Sequence, residues 1–328
     1  MIPFDRTQTY FFGFGRVALL EGLKVLGIKS GDNVLVPSYI CNVVLAPFNY
    51  LGIKVKYFEV SEELQPRLNQ IESQIDNKTK AILAVNYFGF PTLLKEIKEI
   101  CQKKNLFFIE DNAHGFLSKL NNEYLGTFGD ISIFSMRKTL ALPMGAALVI
   151  NDDSLKYKAG ALKLRKGGDF ISFLKQLNRN LELLTGFNPV RDFKKLLGIK
   201  KVRFPEEESP EEERNIEKYF VKFSRMADWI LKRIDSQKIV QIRKEGFNYW
   251  LKHLPEGEPI FKKLSEGIVP YVFPVRTKDR DGFIKRMLAE GIECFPWPTL
   301  PSGLKDCPQF YKEIVCISLG RDYGSPGN

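Results

Sequence analysis

Short apolar runs alternate with amphipathic stretches along the first 150 residues. After Gly15, the positions Val17, Leu19, Leu20, Leu23 and Leu26 recur at helical spacing and stop at Gly27, which predicts a loop feeding a helix. Val34 to Val36 predicts a short buried strand, the chain from about Asn42 a helix, and Lys54 to Glu59 another strand. KAILAVNYFG predicts a further buried strand, LLKEIKEICQKKN an amphipathic helix, LFFIED a strand, and ISIFSM and GAALVI two more. Strands that are apolar throughout and alternate with helices belong to a mostly parallel α/β sheet covered on both faces.

From Asp152 to about Lys222 this rhythm gives way to basic, leucine-rich sequence of helical character. Met226 to Leu254 then predicts one long helix, with Trp229, Ile230, Ile234, Ile239 and Ile242 among its apolar positions. A last α/β portion has YVFPVRT as strand, DRDGFIKRMLAEG as helix and IECFPW as strand. Single cores rarely grow beyond roughly 250 to 300 residues. A chain of 328 residues is therefore expected to form a large domain, 1–235, with an insertion at about 152–222, and a smaller C-terminal domain, 236–328.

Composition narrows the function. The chain is 44% hydrophobic and 27% charged, and no apolar run approaches the ~20 residues that span a bilayer. The first residues lack a basic region followed by an apolar stretch and a cleavage site, so a cytoplasmic location is expected. Five dispersed cysteines and two histidines argue against a disulfide framework and a metal centre. The formal charge of +10 is unevenly spread: a basic stretch from Lys156 to Arg203 is followed by the acidic run Glu206–Glu208 and Glu211–Glu213. That alternation, and the lack of any nucleic-acid-binding signature, argues against a nucleic-acid partner. Phe170, Ile171, Phe173, Leu174, Leu177, Leu181 and Leu184 form an apolar stripe beside basic residues. Such a stripe suits packing against the body or a second subunit, with peripheral membrane contact as the rarer alternative.

The chemistry concentrates between Phe107 and Ile150. Asp111 ends an apolar strand, which places it at the C-terminal edge of a parallel sheet, where α/β proteins build their ligand sites. Lys138 follows another apolar strand and precedes the turn Pro143–Gly145. A lysine there is placed to form a Schiff base, and an aspartate nearby to keep a pyridine nitrogen protonated. Each residue taken singly also fits a structural or solvent-facing role.

Four ordered blocks carry a resemblance: GFGRVALLEGLKVLGIKSGDNVLVPSYICNVVLAPFNYLGIKVKYFEV; VNYFGFP with a helix and IEDNAHG; GTFGDISIFSMRKTLALPMGAALV; and VPYVFPVRTKDRDGFIKRMLAEGIECFPWPTLP. Together they resemble the DegT/StrS-type sugar aminotransferases, fold-type-I enzymes dependent on pyridoxal 5'-phosphate. The resemblance implies a large domain with a mostly parallel central sheet sandwiched by helices, plus a smaller C-terminal α/β domain. By it, Lys138 falls on the Schiff-base lysine, Asp111 on the partner of the pyridine nitrogen and His114 on the residue at the ring oxygen. Gly15 and Arg16 match the loop that holds the cofactor phosphate at a helix N-terminus. Cys41 falls where many members set an aromatic residue over the ring. Tyr87 is a candidate substrate-lining residue, with a core or rim tyrosine as its alternative, and Tyr39 stands likewise.

Departures from the family pattern are specific. Ser135, a candidate phosphate contact, lies three rather than five residues before the lysine, and Met144 and Ala146 replace a glutamate and a glycine in the glycine-rich turn. The subunit-crossing GxNYRM loop survives only in fragments, GFN at 186–188 or SRM at 224–226. The resemblance implies transamination from glutamate to a nucleotide-linked keto-sugar, in polysaccharide or secondary-metabolite biosynthesis, by a homodimer. Two rivals stand beside it. One is a dehydratase of the same sugar class, in which the family replaces the lysine by histidine; the other is a non-catalytic sensory or scaffold protein that retains the fold.

Overall fold

The alternating pattern builds a seven-stranded sheet in the computed structural model, which describes residues 4, 8–140, 142, 144–158, 209–304 and 306–319. The first half contains β1 (Thr9–Phe12), α1 (Gly15–Val25), β2 (Asn33–Pro37), α2 (Leu45–Leu51), β3 (Lys54–Phe58), α3 (Leu68–Gln74) and β4 (Thr79–Val85). It continues with α4 (Leu94–Lys104), β5 (Phe107–Asp111), the small hairpin β6 (Lys119–Leu120) and β7 (Glu123–Tyr124), β8 (Ile131–Phe134), the one-turn helix α5 (Met136–Thr139) and β9 (Ala146–Ile150).

The strand order is β1-β9-β8-β5-β4-β2-β3. Pairs from β3 to β8 are parallel, because helices or the β6–β7 excursion carry the chain back across the sheet between them. Between β8 and β9 stands only α5 and a short turn, so β9 runs antiparallel to β8, and β1 antiparallel to β9. The C-terminal ends of β1, β2, β4, β5 and β8 and the start of β9 therefore meet along one edge. The chain leaves β2 for β3 on one side and returns to β4 on the other, which opens a crevice at the C-terminal ends of β2 and β4.

Beyond the insertion lie α6 (Arg225–Leu231), α7 (Ser236–His253), β10 (Glu258–Pro259), β11 (Val272–Arg276), α8 (Arg280–Ala289), β12 (Cys294–Pro296) and β13 (Ile314–Ser318). A second, antiparallel sheet has the order β10-β11-β13-β12. One apolar cluster joins the two sheets, from Val17 and Val36 through Phe247 to Phe273 and Ile317. Phe247 of α7 is fully buried, its ring 4.9 Å from that of Phe273 and 5.5 Å from that of Phe90.

Three details depart from the pattern-based expectation. The helix expected over Met226–Leu254 is two helices: the side chain of Asp235 accepts hydrogen bonds from the Gln237 and Lys238 N–H groups and starts α7 afresh. Five strands had no counterpart in the pattern: β1, the two-residue strands β6, β7 and β10, and β13, which lies inside the second sheet. Of the stretch 152–222 expected to be helical, residues 159–208 lie outside the described residues, as do the apolar stripe at 170–184 and GFN at 186–188. Residues 209–222 hold only the single turns Pro210–Glu213 and Glu217–Tyr219, and Lys222 bridges Phe12 at the end of β1. Among the described residues no helix is long and apolar enough to cross a membrane.

Candidate active site

The strand-end edge gathers most of the residues singled out from the sequence. Asp111 closes β5, buried, with its carboxylate accepting the Ala113 N–H at 3.0 Å. Burial pushes this carboxyl above its ordinary range, while the Ala113 N–H and Lys138 pull the other way. Next to it, Glu110 points to the opposite face, where it accepts from the backbone N–H groups of Gly126, Phe128 and Gly129 and from Asn86 Nδ2. This fully buried carboxylate pins the loop before β8 to the end of β5. Burial raises it, and those four donors counter the rise.

Lys138 sits in α5, and its Nζ lies 2.9 Å from His114 Nε2. Burial, with Lys138 adding to it, pushes His114 well below the usual histidine range, so its ring is neutral at neutral pH. Nδ1 of that ring accepts the Phe88 N–H at 3.3 Å, which leaves the ring's single proton on Nε2, facing Lys138. The His114 ring stacks with Phe88 at 5.5 Å and 7° and with Tyr271 at 4.9 Å and 21°.

Gly15 opens α1 at the same edge, where no side chain caps the helix. A Cβ built on Gly15 would stand 3.7 Å from Cβ of Ser135, so the helix N-terminus and the serine before α5 flank one small space. Gly145 N–H donates to Gly13 O at 2.9 Å and ties this loop to the turn after Lys138. The guanidinium of Arg16 lies elsewhere: it pairs with Glu212 at 2.6 Å and covers the Tyr219 ring at 3.8 Å. Cys41 precedes the turn Asn42–Val44, half-buried, its Sγ 3.9 Å from Asn42 Oδ1. Tyr87 is buried and donates its hydroxyl to Tyr39 O at 2.6 Å, while Tyr39 donates to Trp297 O at 2.6 Å. Both tyrosines therefore act as wall, their hydroxyls committed to backbone carbonyls. Ser224, in SRM, caps α6 by accepting the Ala227 N–H.

Four site-forming side chains had not been singled out. Trp297, at the end of β12, places its indole 4.9 Å from His114, 5.1 Å from Phe88 and 5.4 Å from Tyr39, so the second sheet contributes a wall. Phe88 holds a positive φ of 56°, a conformation uncommon for a bulky residue, under the His114 stack. Tyr271 and Arg243 complete the set. For Arg243 the signal was present in the sequence, since an arginine interrupts the apolar stripe Ile239, Ile242, Gly246, Phe247 and Trp250 of α7.

An amine, a buried carboxylate and an uncapped helix N-terminus at the strand-end edge of a doubly wound sheet define a fold-type-I transferase architecture. Residues 12–188, more than half of the chain, match the model of the DegT/DnrJ/EryC1/StrS aminotransferase family, and the chain belongs to that family. It is 40% identical over 144 residues to the GDP-perosamine synthase of Escherichia coli O157:H7, covering 43% of this chain and 40% of that protein. To the GDP-perosamine synthase of Vibrio cholerae it is 32% identical over 173 residues, 48% of this chain and 47% of the other. The chain thus spans less than half the length of these curated relatives. A solved structure of GDP-4-keto-6-deoxymannose-3-dehydratase, with a trapped PLP-glutamate geminal diamine, superposes with a TM-score of 0.63 at 19% identity, over 97% of this chain and 86% of that one.

Proposed function

We propose that the protein is a pyridoxal-phosphate-dependent aminotransferase that moves an amino group, with glutamate as donor, onto a nucleotide-linked keto-sugar. The observation that carries this reading is the Lys138 amine held 2.9 Å from a neutral His114, beside the buried carboxylate of Asp111. The residues present fit the cofactor. The uncapped start of α1, with Ser135 beside Gly15, suits an anionic phosphate, and a carboxylate buried at the sheet edge suits a cationic ring nitrogen. When bound, pyridoxal phosphate supplies a carbonyl carbon that exchanges amines and a ring that accepts electrons from the carbon being deprotonated.

The chain's own groups then divide the labour. Lys138 would hold the cofactor through Nζ, and its amine would move the proton at the substrate carbon. Asp111 keeps a proton on the pyridine nitrogen. His114 orients the Lys138 amine, and Gly15, the Arg16 N–H and Ser135 bind the phosphate. Cys41 would border the cofactor ring, and Tyr39, Tyr87 and Trp297 would exclude water. A lysine at 138 rather than a histidine supports transamination over the dehydration named for one structural neighbour.

By the same reading the protein is a cytoplasmic homodimer, with the large domain ending near residue 235. Its molar mass by light scattering should be about twice the 37.7 kDa of one chain. The reading is tested by reducing the protein with borohydride after adding pyridoxal phosphate, mapping the pyridoxyl group, and recording the cofactor spectrum before and after glutamate. The label is expected on Lys138, with loss of the visible band on adding the donor. Labelling of another lysine overturns the site, and a bound cofactor that no amino acid converts favours a non-catalytic scaffold.

A further inference from the structure

Arg243 is 4% exposed, on the inward face of α7, and its guanidinium donates to backbone carbonyls in two separate segments. One nitrogen reaches Thr139 O at 2.8 Å and Lys138 O at 3.5 Å; the other reaches Tyr271 O at 2.6 Å and Pro270 O at 3.3 Å. The first pair are the last carbonyls of α5, a helix of four residues. Carbonyls at a helix end lack intrahelical partners, and one turn is too short to hold its own shape. A cation there satisfies them and meets the negative end of the peptide dipoles.

The second pair leads back to the same amine. The Tyr271 ring stacks on His114, the Tyr271 N–H donates to Phe88 O at 2.8 Å, and Phe88 also stacks on His114. His114 in turn bonds Lys138 Nζ. The contacts close a loop: Lys138 backbone, Arg243, Tyr271, His114, Lys138 amine. Only a planar fork with donors on two sides spans both segments at once; a lysine is a single point. A buried arginine is costly to desolvate, and an apolar residue would continue the stripe of α7 without that cost.

We propose that Arg243 is a positioning residue that fixes the Lys138 amine against His114, and so couples α7 to the site. This rests on the aminotransferase reading for its catalytic consequence, but not for its geometry. The test uses Arg243→Gln and Arg243→Lys in the full chain, with folding checked by circular dichroism. Arg243→Gln should lower kcat by about tenfold or more through misplacement of the amine, with KM for the donor changed far less. The pH at which the bound cofactor's visible band titrates should move, and Arg243→Lys should recover part of both effects.

In cofactor-free protein, competitive labelling with an amine reagent should change the reactivity of Lys138 severalfold relative to the other lysines. That last reading survives even if the wild-type protein takes up no cofactor, an outcome that would sink the aminotransferase reading alone. If Arg243→Gln does not fold, Arg243→Lys and Tyr271→Leu, which cuts the loop at another link, report the same quantities. Variants that lose thermal stability while kcat, the titration and Lys138 labelling stay at wild-type values overturn the proposal.

Discussion

Arg16, at the start of α1, and Glu212, far along the chain beyond the insertion, meet in an ion pair of 2.6 Å. Lys218 and the Tyr219 hydroxyl bond the same carboxylate, and Gly13 N–H donates to Val221 O at 3.0 Å. Residues 209–222 thus lie as a strap against the loop that flanks Ser135. The strap also holds the far wall, because Glu213 accepts from the Ser302 N–H and hydroxyl.

The strap carries a pH signature. Partial burial raises the Glu212 carboxyl, but hydrogen bonds from Lys218, Tyr219 and Arg16 outweigh it and hold the pKa at about 2, against an ordinary 4.5. A carboxyl lowered on folding contributes stability that is fully present above its unfolded value and is lost as pH falls toward the folded one. Glu212→Gln should therefore melt below wild type at neutral pH, with the gap closing as pH drops from about 4.5 to about 2. Thermal melts across that window decide it, and a gap independent of pH would assign the strap's stability to other contacts.

His114→Ala should leave Lys138 able to take the cofactor but lower kcat by about 10²-fold, because the amine loses the partner that orients it. Borohydride labelling measures the first effect and steady-state kinetics the second. Unchanged kcat would mean that the 2.9 Å contact is incidental to turnover.

Asp111→Ala should lose transamination by several orders of magnitude, since the charge partner of the electron-accepting ring disappears. Asp111→Asn keeps the shape and removes the charge, and should fail nearly as badly. Near-normal turnover in either variant would rule out the ring-nitrogen role.

Phe247→Ala should cost about 3 to 5 kcal/mol, as expected for emptying a fully buried aromatic site that joins the two sheets. Denaturant unfolding measures it. A loss below about 1 kcal/mol, the scale of a surface change, would mean that the packing between α7 and β11 relaxes around the gap.

Much of the site was legible because parallel strands end their apolar runs where ligands bind. Asp111 and Lys138 each follow such a run, so periodicity set them at strand ends. Gly15, in contrast, was read from periodicity only as the loop before the first helix and was joined to the candidate site by the family resemblance. Tyr39 and Tyr87 were placed near that edge by the same logic, though the commitment of their hydroxyls to carbonyls is a product of packing. The break at Asp235 had a legible cause too, an N-capping aspartate inside an apolar pattern that continues across it.

What the sequence determined by itself, then, is the α/β alternation, the strand-end residues and the family pattern of a lysine, an aspartate and a histidine. Only the tertiary structure decided that Arg16 turns to Glu212, that Trp297 from the second sheet walls His114, and that Arg243 bridges Lys138 and Tyr271. The physical reason is range. Periodicity and capping act over a few residues and are written in local order. A guanidinium or an indole finds partners a hundred or more positions away, and which partner it meets is fixed only when the sheets close on a shared core.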